Sequence, residues 1–315
     1  MPLKEFLSEL DEEVAILASS EFEIEVVETS SVPTFDDPNI TFHNLDTKKK
    51  KCKLLESCVL YVDIRGSAQI SASKMPKTLA KMYSSFISTM IACARYYGGH
   101  VRNIIGDRVM VVFDADDCFK NAVDTATLMN TASQYILNRR IKSIDFKCGI
   151  GIDYGRMLIT KGGAVRYGAE KEFYRGLVWL GKPANVASRL TDLAFKTEDI
   201  TTSVVREGHH YPNIGEWTWS DRTYEQFIDS LQPTYSPVLR HKAEYFNTFF
   251  KTQRTSTKTP PPILMSAAVY DGLLRAHPKA DYIVNKYFKK QSIAVRDYEG
   301  DVYGGDVTFV VAKEL

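Results

Sequence analysis

The sequence has no long hydrophobic run and no large excess of charge of one sign. Its best candidate for a membrane span, residues 86–94, lies between Lys81 and Arg95 and is far shorter than the roughly 18 residues required. The 40 basic side chains nearly balance the 39 acidic ones, so the formal net charge is +1. No basic field therefore indicates a nucleic-acid partner. We expect no membrane span and no nucleic-acid binding.

Cysteine is scarce in the sequence, and its five occurrences include no C-x-x-C pair. Without paired thiols, the chain lacks the spacing of a thiolate metal site. Two of the cysteines lie in apolar, strand-like runs, where a thiol packs as a small hydrophobic group. Residues 3–13 are amphipathic and acidic, unlike a secretory signal. We therefore expect a reduced protein of the cytoplasm.

Residues 1–53 have the pattern of an arm that precedes a globular domain. Apolar side chains recur at helical spacing from Leu3 to Leu17, which predicts an amphipathic helix. Two prolines interrupt the next stretch, and a basic run follows at Lys48–Lys53. Such a run would suit contact with a membrane or a polyphosphate, but a solvated linker is the commoner structure. We expect a helical arm and linker, followed by the main domain at 54–315.

Two aspartates follow apolar strands and are expected at one edge of a sheet. The run Val59–Val62 ends in Asp63, and two further apolar runs flank the turn Gly106–Asp107. A strand tipped by aspartate beside a hairpin tipped by Gly-Asp brings two carboxylates together. Carboxylate oxygens are ligands that Mg²⁺ prefers, and Mg²⁺ usually brings phosphates with it. The pair predicts a metal site, although either aspartate alone would more commonly cap a turn.

The apolar spacing along the rest of the chain predicts an α+β fold. The order strand, helix, hairpin, helix, hairpin is typical of a mainly antiparallel sheet with helices on one face. After the first strand and the hairpin, helices are expected over 75–97, 116–138 and 267–276, and strands over 144–153, 157–161, 263–266, 292–297 and 307–311, with a turn at Tyr154–Gly155.

A second polar pair is expected on a helix that begins near Pro183. Val186 and Leu190 belong to its buried stripe, so Asn185 and Arg189, four residues apart, project from one other face. An amide and a guanidinium aimed at one point can orient a sugar and hold a phosphate. In isolation, the two residues would more commonly belong to a solvated helix face.

Taken together, these stretches make the chain resemble the class III nucleotide cyclases, the family of adenylate and guanylate cyclase catalytic domains. The resemblance covers roughly residues 54–194 and 262–311 and implies a ferredoxin-like catalytic domain. Each motif alone is weak, and their combination at workable spacing is specific. The motifs are D-I-R-G-S at 63–67, G-G-x-V-x-x-x-x-G-D at 98–107, G-I-x-x-G at 151–155, G-x-x-x-N-x-A-x-R at 181–189 and I-L-M-S-x-x-V-Y at 263–270.

The resemblance implies a two-metal site and a nucleoside triphosphate substrate. Asp63 and Asp107 would hold two Mg²⁺ or Mn²⁺ ions, with the Ile64 carbonyl as a further ligand. Asn185 would position the ribose, and Arg189 would stabilise charge on the α-phosphate in the transition state. Backbone N–H groups that meet the β- and γ-phosphates are implied at Arg65, Gly66 and Ser67.

In this family the active site lies between two cyclase domains. One domain supplies the metal ligands, and the other supplies the helix with the Asn and Arg. Since this chain carries one such domain, the resemblance implies a homodimer with two shared active sites.

The chain departs from the family pattern at the base-recognition positions. Adenylate cyclases place Lys and Asp there, and guanylate cyclases place Glu and Cys, where this chain has Asn103 and Val178. The pair matches neither purine set, since Asn103 offers an amide and Val178 nothing polar. In these positions and in its short arm, the chain is similar to the bacterial pyrimidine cyclases of antiphage defence. Residues 196–261 form an insert that ordinary cyclases lack. The family's late phosphate-binding lysine has three candidates, Lys286, Lys289 and Lys290.

The resulting hypothesis is a pyrimidine cyclase that converts UTP to 3',5'-cyclic UMP and pyrophosphate. The product would be a second messenger of antiphage defence, read by a separate effector protein. CTP is the next candidate substrate, followed by a purine nucleotide with unusual base contacts. An inactive nucleotide-binding homology domain is the alternative from another class, and the joint presence of both polar pairs argues against it. A diguanylate cyclase would need a G-G-[DE]-E-F hairpin, which Gly304–Val307 does not supply.

Overall fold

The computed structural model describes residues 1–142, 144–171, 176–235 and 238–314. The remaining positions of the expected catalytic domain and of the expected insert lie outside the described residues. By contacts, the chain divides into two compact units, Met1–Lys196 with Pro260–Leu315 and Thr197–Thr259. Each helix within the described ranges is too short or too polar to cross a membrane.

The described residues form helices and strands that we number in chain order. The helices are α1 (Leu3–Ala18), α2 (Ser67–Ser73), α3 (Pro76–Tyr96), α4 (Cys118–Thr131), α5 (Asn138–Arg140), α6 (Lys182–Leu193), α7 (Tyr224–Asp229), α8 (Ala267–Ala276) and α9 (Asp281–Val284). The strands are β1 (Glu23–Thr29), β2 (His43–Asn44), β3 (Lys49–Ile64), β4 (His100–Ile105), β5 (Arg108–Val112), β6 (Cys148–Lys161), β7 (Ala164–Arg166), β8 (Ala169–Lys171), β9 (Leu177–Leu180), β10 (Glu198–Tyr211), β11 (Glu216–Arg222), β12 (Leu231–Pro233), β13 (Leu239–His241), β14 (Phe246–Lys258), β15 (Ile263–Ser266), β16 (Lys289–Gln291) and β17 (Val302–Gly305).

Strand β3 is the centre of the sheet in the first unit. β5 and β6 flank it in antiparallel pairing and β4 lies outside β5, which gives the order β4–β5–β3–β6. With α3 after β3 and α4 after β5, this is the β-α-β-β-α-β order of a ferredoxin-like fold. Among the described residues, parallel pairs occur only between β1 and β3, β2 and β7, and β6 and β15. The prediction of a mainly antiparallel α+β fold is confirmed.

Helices cover both faces of this sheet, and the prediction that they lie on one face is wrong. Val62 of β3 belongs to one core with Phe86 of α3 and Met129 of α4. Val59, on the opposite face of β3, belongs to a second core with Ala187 of α6. The central residues of β3 are all apolar and do not alternate with polar ones, so other elements must pack on both faces of the strand.

The long helices predicted from periodicity are confirmed. Those expected over 75–97 and 267–276 correspond to α3 and α8, and the strand over 263–266 is β15. The helix expected over 116–138 corresponds to α4, which continues through a π-helical segment, Ala132–Leu137, into α5.

One continuous strand, β6, replaces the two strands predicted over 144–153 and 157–161. Its pairing with β3 runs without interruption past Tyr154–Gly155, where we expected a turn. Gly155 has a φ of +153°, and a Cβ there would lie 2.9 Å from Cγ of Pro183 in α6. The glycine therefore permits a close approach of helix to strand, which the sequence pattern could not distinguish from a turn.

The last two strands lie earlier than the predicted 292–297 and 307–311. β16 and β17 pair with each other, and β17 pairs with β15. β17 ends in Gly304 and Gly305, and a Cβ at Gly304 would lie 2.6 Å from Leu264 Cδ2, so this glycine permits close packing of the two strands. The segment Val310–Glu314 is a 3₁₀ helix.

The basic run Lys48–Lys53 lies mostly in a strand, so its interpretation as a linker is wrong. β3 begins at Lys49 and pairs in parallel with β1. Glu23 pairs with Lys49, and Glu25 pairs with Lys51. Because opposite charges at paired positions attract, the acidic β1 offsets the repulsion within the run.

The second unit is built on a three-stranded antiparallel sheet in the order β11–β10–β14. On one face, Phe227 of α7 packs against Phe249 with ring centroids 4.7 Å apart. The other face carries Trp217 and Trp219, whose stacked rings are 45% and 44% exposed. These residues fall within the range that we expected as an insert.

Candidate active site

Two aspartates meet at the carboxyl end of β3. Asp63 is the penultimate residue of β3, and Asp107 lies in the turn between β4 and β5. The pairing of Val62 with Val109 sets the hairpin beside the end of the strand. The N–H of Ile64 donates to Asp63 Oδ1 at 3.1 Å and to Asp107 Oδ2 at 3.0 Å. The structure therefore brings the two carboxylates together on one backbone amide.

The surroundings of Asp107 disfavour the charge of its carboxylate. Burial raises the pKa of Asp107 to about 6, and a hydrogen bond and the charge of Asp63 act in the same direction. A bound divalent cation would oppose this shift, because it favours the ionised carboxylates. Two half-buried carboxylates fit Mg²⁺ or Mn²⁺, which accept oxygen ligands. No larger cluster of His, Cys, Asp or Glu ligands occurs in the part of the chain that the structure describes.

Arg108, the first residue of β5, joins the carboxylate edge to α6. Its Nη2 donates to Asp63 Oδ2 at 2.6 Å and also to Asp192, and its Nη1 donates to Ser188 Oγ at 2.9 Å. Burial opposes the charge of this guanidinium, but the hydrogen bonds to Asp63 and Asp192 outweigh it and raise the pKa of Arg108. Arg108 therefore orients the Asp63 carboxylate and anchors the C-terminal half of α6.

Arg65 makes a second link between the strand end and α6. Its side chain donates to the carbonyl of Thr191 at 2.8 Å and to that of Asp192 at 3.1 Å. Its backbone N–H, which the family resemblance assigned to phosphate, donates to the Lys147 carbonyl at 2.7 Å. The sheet uses this N–H group in the structure, so the phosphate role of the Arg65 N–H stays a prediction that requires this bond to break.

A cavity of about 420 Å³ opens beside Asp107. Its lining includes Ser67 and Ser71, from the first and fifth positions of α2, and Tyr83 of α3. Ser71 Oγ and the Tyr83 hydroxyl are hydrogen-bonded at 2.9 Å. Gly66, with a φ of +71°, directs the chain from β3 into α2. Hydroxyl groups next to a carboxylate pair suit phosphates held by a cation.

Asn185 and Arg189 lie on α6, but one chain does not bring them to the two aspartates. Asn185 is exposed. Arg189 Nη1 pairs with Asp297 Oδ2 at 2.7 Å and donates to the carbonyl of Arg296. Across the described ranges, no hydrogen bond or ion pair joins either side chain to the carboxylate edge. The amide and the guanidinium lie on a polar face of α6 that Ser188, Asp192 and Arg108 link to Asp63.

The base-recognition positions lie on different strands. Asn103 is in β4, beside an irregularity in its pairing with β5. Val178 is in β9, opposite Thr160 of β6. Both residues are half-buried, so a ligand can reach part of each side chain. Together they offer a base one amide and one apolar surface.

Three polar residues of the site escaped the sequence analysis: Arg108, Ser188 and Asp192. Ser188 and Asp192 follow Asn185 by three and seven residues, a spacing that places all three on one helix face. That spacing is a signal that could have found them. Their pairing with Arg108 depends on the contact between β5 and α6, which has no local sequence signal.

Similar proteins include named cyclases. A uridylate cyclase from Gulbenkiania mobilis is 28% identical over 216 residues, which is 64% of this chain and 78% of that protein. A cytidylate cyclase from Staphylococcus aureus is 35% identical over 107 residues, which is 31% of this chain and 25% of that protein. The crystal structure of the adenylyl cyclase CyaB from P. aeruginosa aligns with 80% of this chain and 94% of its own, at 15% identity and a TM-score of 0.46.

The match to a family model covers half of the chain. The model for the adenylate and guanylate cyclase catalytic domain matches residues 50–208. That range includes the carboxylate pair, Asp63 and Asp107, and the polar face of α6 with Asn185 and Arg189. The chain therefore belongs to the adenylate and guanylate cyclase catalytic domain family and is a class III nucleotide cyclase.

Proposed function

We propose that the protein is a uridylate cyclase that converts UTP to 3',5'-cyclic UMP and pyrophosphate. The observation that carries the substrate is the similarity to a protein named uridylate cyclase over 64% of this chain. Asn103 and Val178 agree with it, because they match neither purine set. The similarity to a protein named cytidylate cyclase makes CTP the second candidate.

In this proposal, Asp63, Asp107 and the Ile64 carbonyl hold two Mg²⁺ or Mn²⁺ ions. When bound, the ions supply activation of the ribose 3'-oxygen and neutralisation of phosphate charge, as in other two-metal phosphoryl transfers. The chain's own part is to hold the carboxylates in a fixed geometry. Arg108 restrains Asp63, and the Ile64 N–H restrains both carboxylates.

The reaction transfers the α-phosphorus from one oxygen to another within the same molecule. The ribose 3'-oxygen attacks the α-phosphorus, the bond from that phosphorus to the bridging oxygen breaks, and pyrophosphate leaves with the electron pair. The 3'-hydroxyl proton passes to water. Asn185 orients the ribose, and Arg189 stabilises the charge that develops on the α-phosphate. To do so, Arg189 exchanges its partner Asp297 for the substrate.

The active sites are shared in a homodimer under this proposal. Support comes from the separation of the two polar pairs in one chain, where Asn185 is exposed and Arg189 pairs with Asp297. A second copy would bring its α6 to the carboxylate edge of the first, and symmetry would complete two equal sites.

The product acts, in this proposal, as a second messenger of antiphage defence in the cytoplasm. The support is the resemblance to the bacterial defence cyclases and the five cysteines, all free and buried. A separate effector protein that binds the cyclic nucleotide would read the signal. Mass spectrometry of extracts from infected cells, with and without the protein, measures the accumulation of cyclic UMP.

The substrate is tested by kcat/KM for UTP, CTP, ATP and GTP at one Mn²⁺ concentration. A purine edge that meets Val178 without a partner loses roughly 1–3 kcal/mol, so we expect purines to fall about one to two decades below UTP. A larger kcat/KM for CTP selects the second candidate, and a larger value for ATP or GTP contradicts a pyrimidine cyclase. Absence of product from all four indicates an inactive homology domain.

A variant designed to accept ATP tests whether Asn103 and Val178 select the base. The double substitution Asn103→Lys and Val178→Asp installs the adenylate set described above. If these positions read the base, kcat/KM for ATP rises and that for UTP falls. If the preference stays unchanged, other residues select the base.

A further inference from the structure

A cavity of about 550 Å³ in the first unit is lined by part of the basic run that the proposed function leaves unused. It lies between the loop before β2 and the strands β3 and β6. Its lining includes four lysines and one carboxylate: Lys49, Lys50 and Lys51 of β3, Lys161 of β6, and Asp36. The cavity therefore presents an excess of positive charge.

Lys50 differs from its neighbours in the run. Lys49 and Lys51 pair with glutamates of β1 at 3.0 and 3.5 Å, whereas strand alternation turns Lys50 to the other face. Its Nζ donates to the Lys161 carbonyl at 3.2 Å. No carboxylate lies within 4.0 Å of this ammonium group among the residues with described positions. Burial lowers the pKa of Lys50, which reflects the cost of a charge held there without a counter-ion.

Lys161 forms the opposite wall of the cavity. Its Nζ lies 4.8 Å from the ring centroid of Phe35 and 5.8 Å from that of Phe42. Within the described ranges it also forms no ion pair with a carboxylate. Aromatic faces attract a cation but leave its outward N–H groups available to a ligand.

The neutral polar groups of the cavity are arranged as donors. Thr41 Oγ1 accepts the N–H of Lys51 at 2.9 Å, so its hydroxyl hydrogen remains for another partner. The side-chain oxygen of Asn44 accepts two backbone N–H groups, at 3.0 and 2.9 Å, which leaves its NH₂ group as the donor. Two ammonium groups and two neutral donors match a ligand that only accepts hydrogen bonds.

We propose that this cavity binds a small phosphate-bearing anion, either an inorganic polyphosphate or a nucleoside monophosphate. A carboxylate carries one charge, whereas a phosphate group near neutral pH carries close to two and can face both Lys50 and Lys161. The two sources share this chemistry and differ in whether the phosphate carries a nucleoside. The inference goes beyond the cyclase activity and does not depend on it.

Isothermal titration calorimetry of the full chain tests the proposal. Inorganic phosphate, inorganic pyrophosphate and UMP are titrated separately, with a chelator present so that no divalent cation supports binding at the carboxylate pair. We expect saturable binding of at least one probe. Lys50→Gln and Lys161→Gln should each weaken it roughly tenfold or more, because each removes a charge-assisted hydrogen bond.

Lys48→Gln is the matched control, since Lys48 belongs to the same run but pairs with Glu21 and does not line the cavity. The Lys48→Gln variant should bind each anion with the same affinity as the unmodified protein. A protection experiment needs no variant: the bound anion should shield Lys50 and Lys161 from acetylation, but not Lys48. Tighter binding of UMP than of phosphate and pyrophosphate indicates a nucleotide, and the reverse order indicates an inorganic polyphosphate. No saturable binding of any probe, or affinity that survives both lysine substitutions, overturns the proposal.

Discussion

The carboxylate edge and the polar face of α6 are held in place by different means. At the carboxylate edge, pairing between β3 and β5 brings Asp63 and Asp107 onto one backbone N–H. On α6, Asn185 is exposed and Arg189 pairs with Asp297, a residue far along the chain. Strand register fixes two side chains relative to each other, whereas a helix face fixes only a common direction.

The difference has a consequence for the assembly of the site. The carboxylate edge, which strand register fixes, is complete in one chain. The polar face of α6, which is fixed only in direction, needs a partner surface, and we propose that this surface is the carboxylate edge of a second copy. Four experiments test whether the carboxylate edge and the polar face of α6 differ in this way.

Removal of either carboxylate should have the largest effect. We expect Asp63→Ala and Asp107→Ala each to abolish measurable turnover while the protein stays folded, because each deletes a ligand that fixes the proposed metals. Product formation at saturating Mn²⁺ and circular dichroism measure the two effects. Asp116→Ala, at an exposed position, is the control. Substantial product from either variant would contradict the assignment of Asp63 and Asp107 as metal ligands.

Mixing two inactive variants tests whether the halves come from different chains. Asp63→Ala and Arg189→Ala should each be inactive alone, and their mixture should regain activity, because one of the two sites in a mixed dimer has both halves intact. Activity is measured after mixing, and mass spectrometry confirms the mixed dimer. A mixed dimer without activity would mean that each chain builds its own site.

The pH dependence of Mn²⁺ binding probes the carboxylate half alone. Since the pKa of Asp107 is about 6, the metal-free protein holds a proton there below that pH, and the metal must displace it. We expect Mn²⁺ affinity to rise by up to about tenfold per pH unit as the pH approaches 6, and to stay level above it. Calorimetry or electron paramagnetic resonance of free Mn²⁺ measures this affinity. Arg189→Ala should leave the midpoint unchanged, and a midpoint near pH 4 would contradict a raised pKa of Asp107.

Arg108 is the side chain that connects the two regions, and its loss should have the smallest effect. Arg108→Ala removes one hydrogen-bond donor from Asp63 and one from Asp192, and should lower the free energy of unfolding by roughly 1–3 kcal/mol in urea titrations. Arg156→Ala is the control, because its side chain is 62% exposed and its ion pairs should contribute less than about 1 kcal/mol. Equal effects of the two substitutions would show that Arg108 does not brace the site.

Both polar pairs and the core elements of the fold were predictable from three local features of the sequence. These are the apolar run before Asp63, the Gly106–Asp107 turn and the spacing from Asn185 to Arg189. Such signals are local. The period of the apolar residues predicts whether a segment is a helix or a strand, and the residue at its end is the polar side chain that the element presents. The family resemblance added roles to these positions, and those roles stay predictions until the variants above are measured.

Other features depended on contacts between residues far apart in sequence. Gly155 has the same local signal whether it makes a turn or lets Pro183 approach, and only the packing of α6 on β6 decided between them. Likewise, the sequence does not show which lysines of a basic run form ion pairs. The pairing of β1 with β3 decided that Lys49 and Lys51 meet glutamates, whereas Lys50 has no carboxylate partner among the described residues. The helices, the strands and the residues at their ends follow from the sequence, because they depend on neighbours along the chain. Which side chains meet depends on strand register and packing, which exist only in the folded chain.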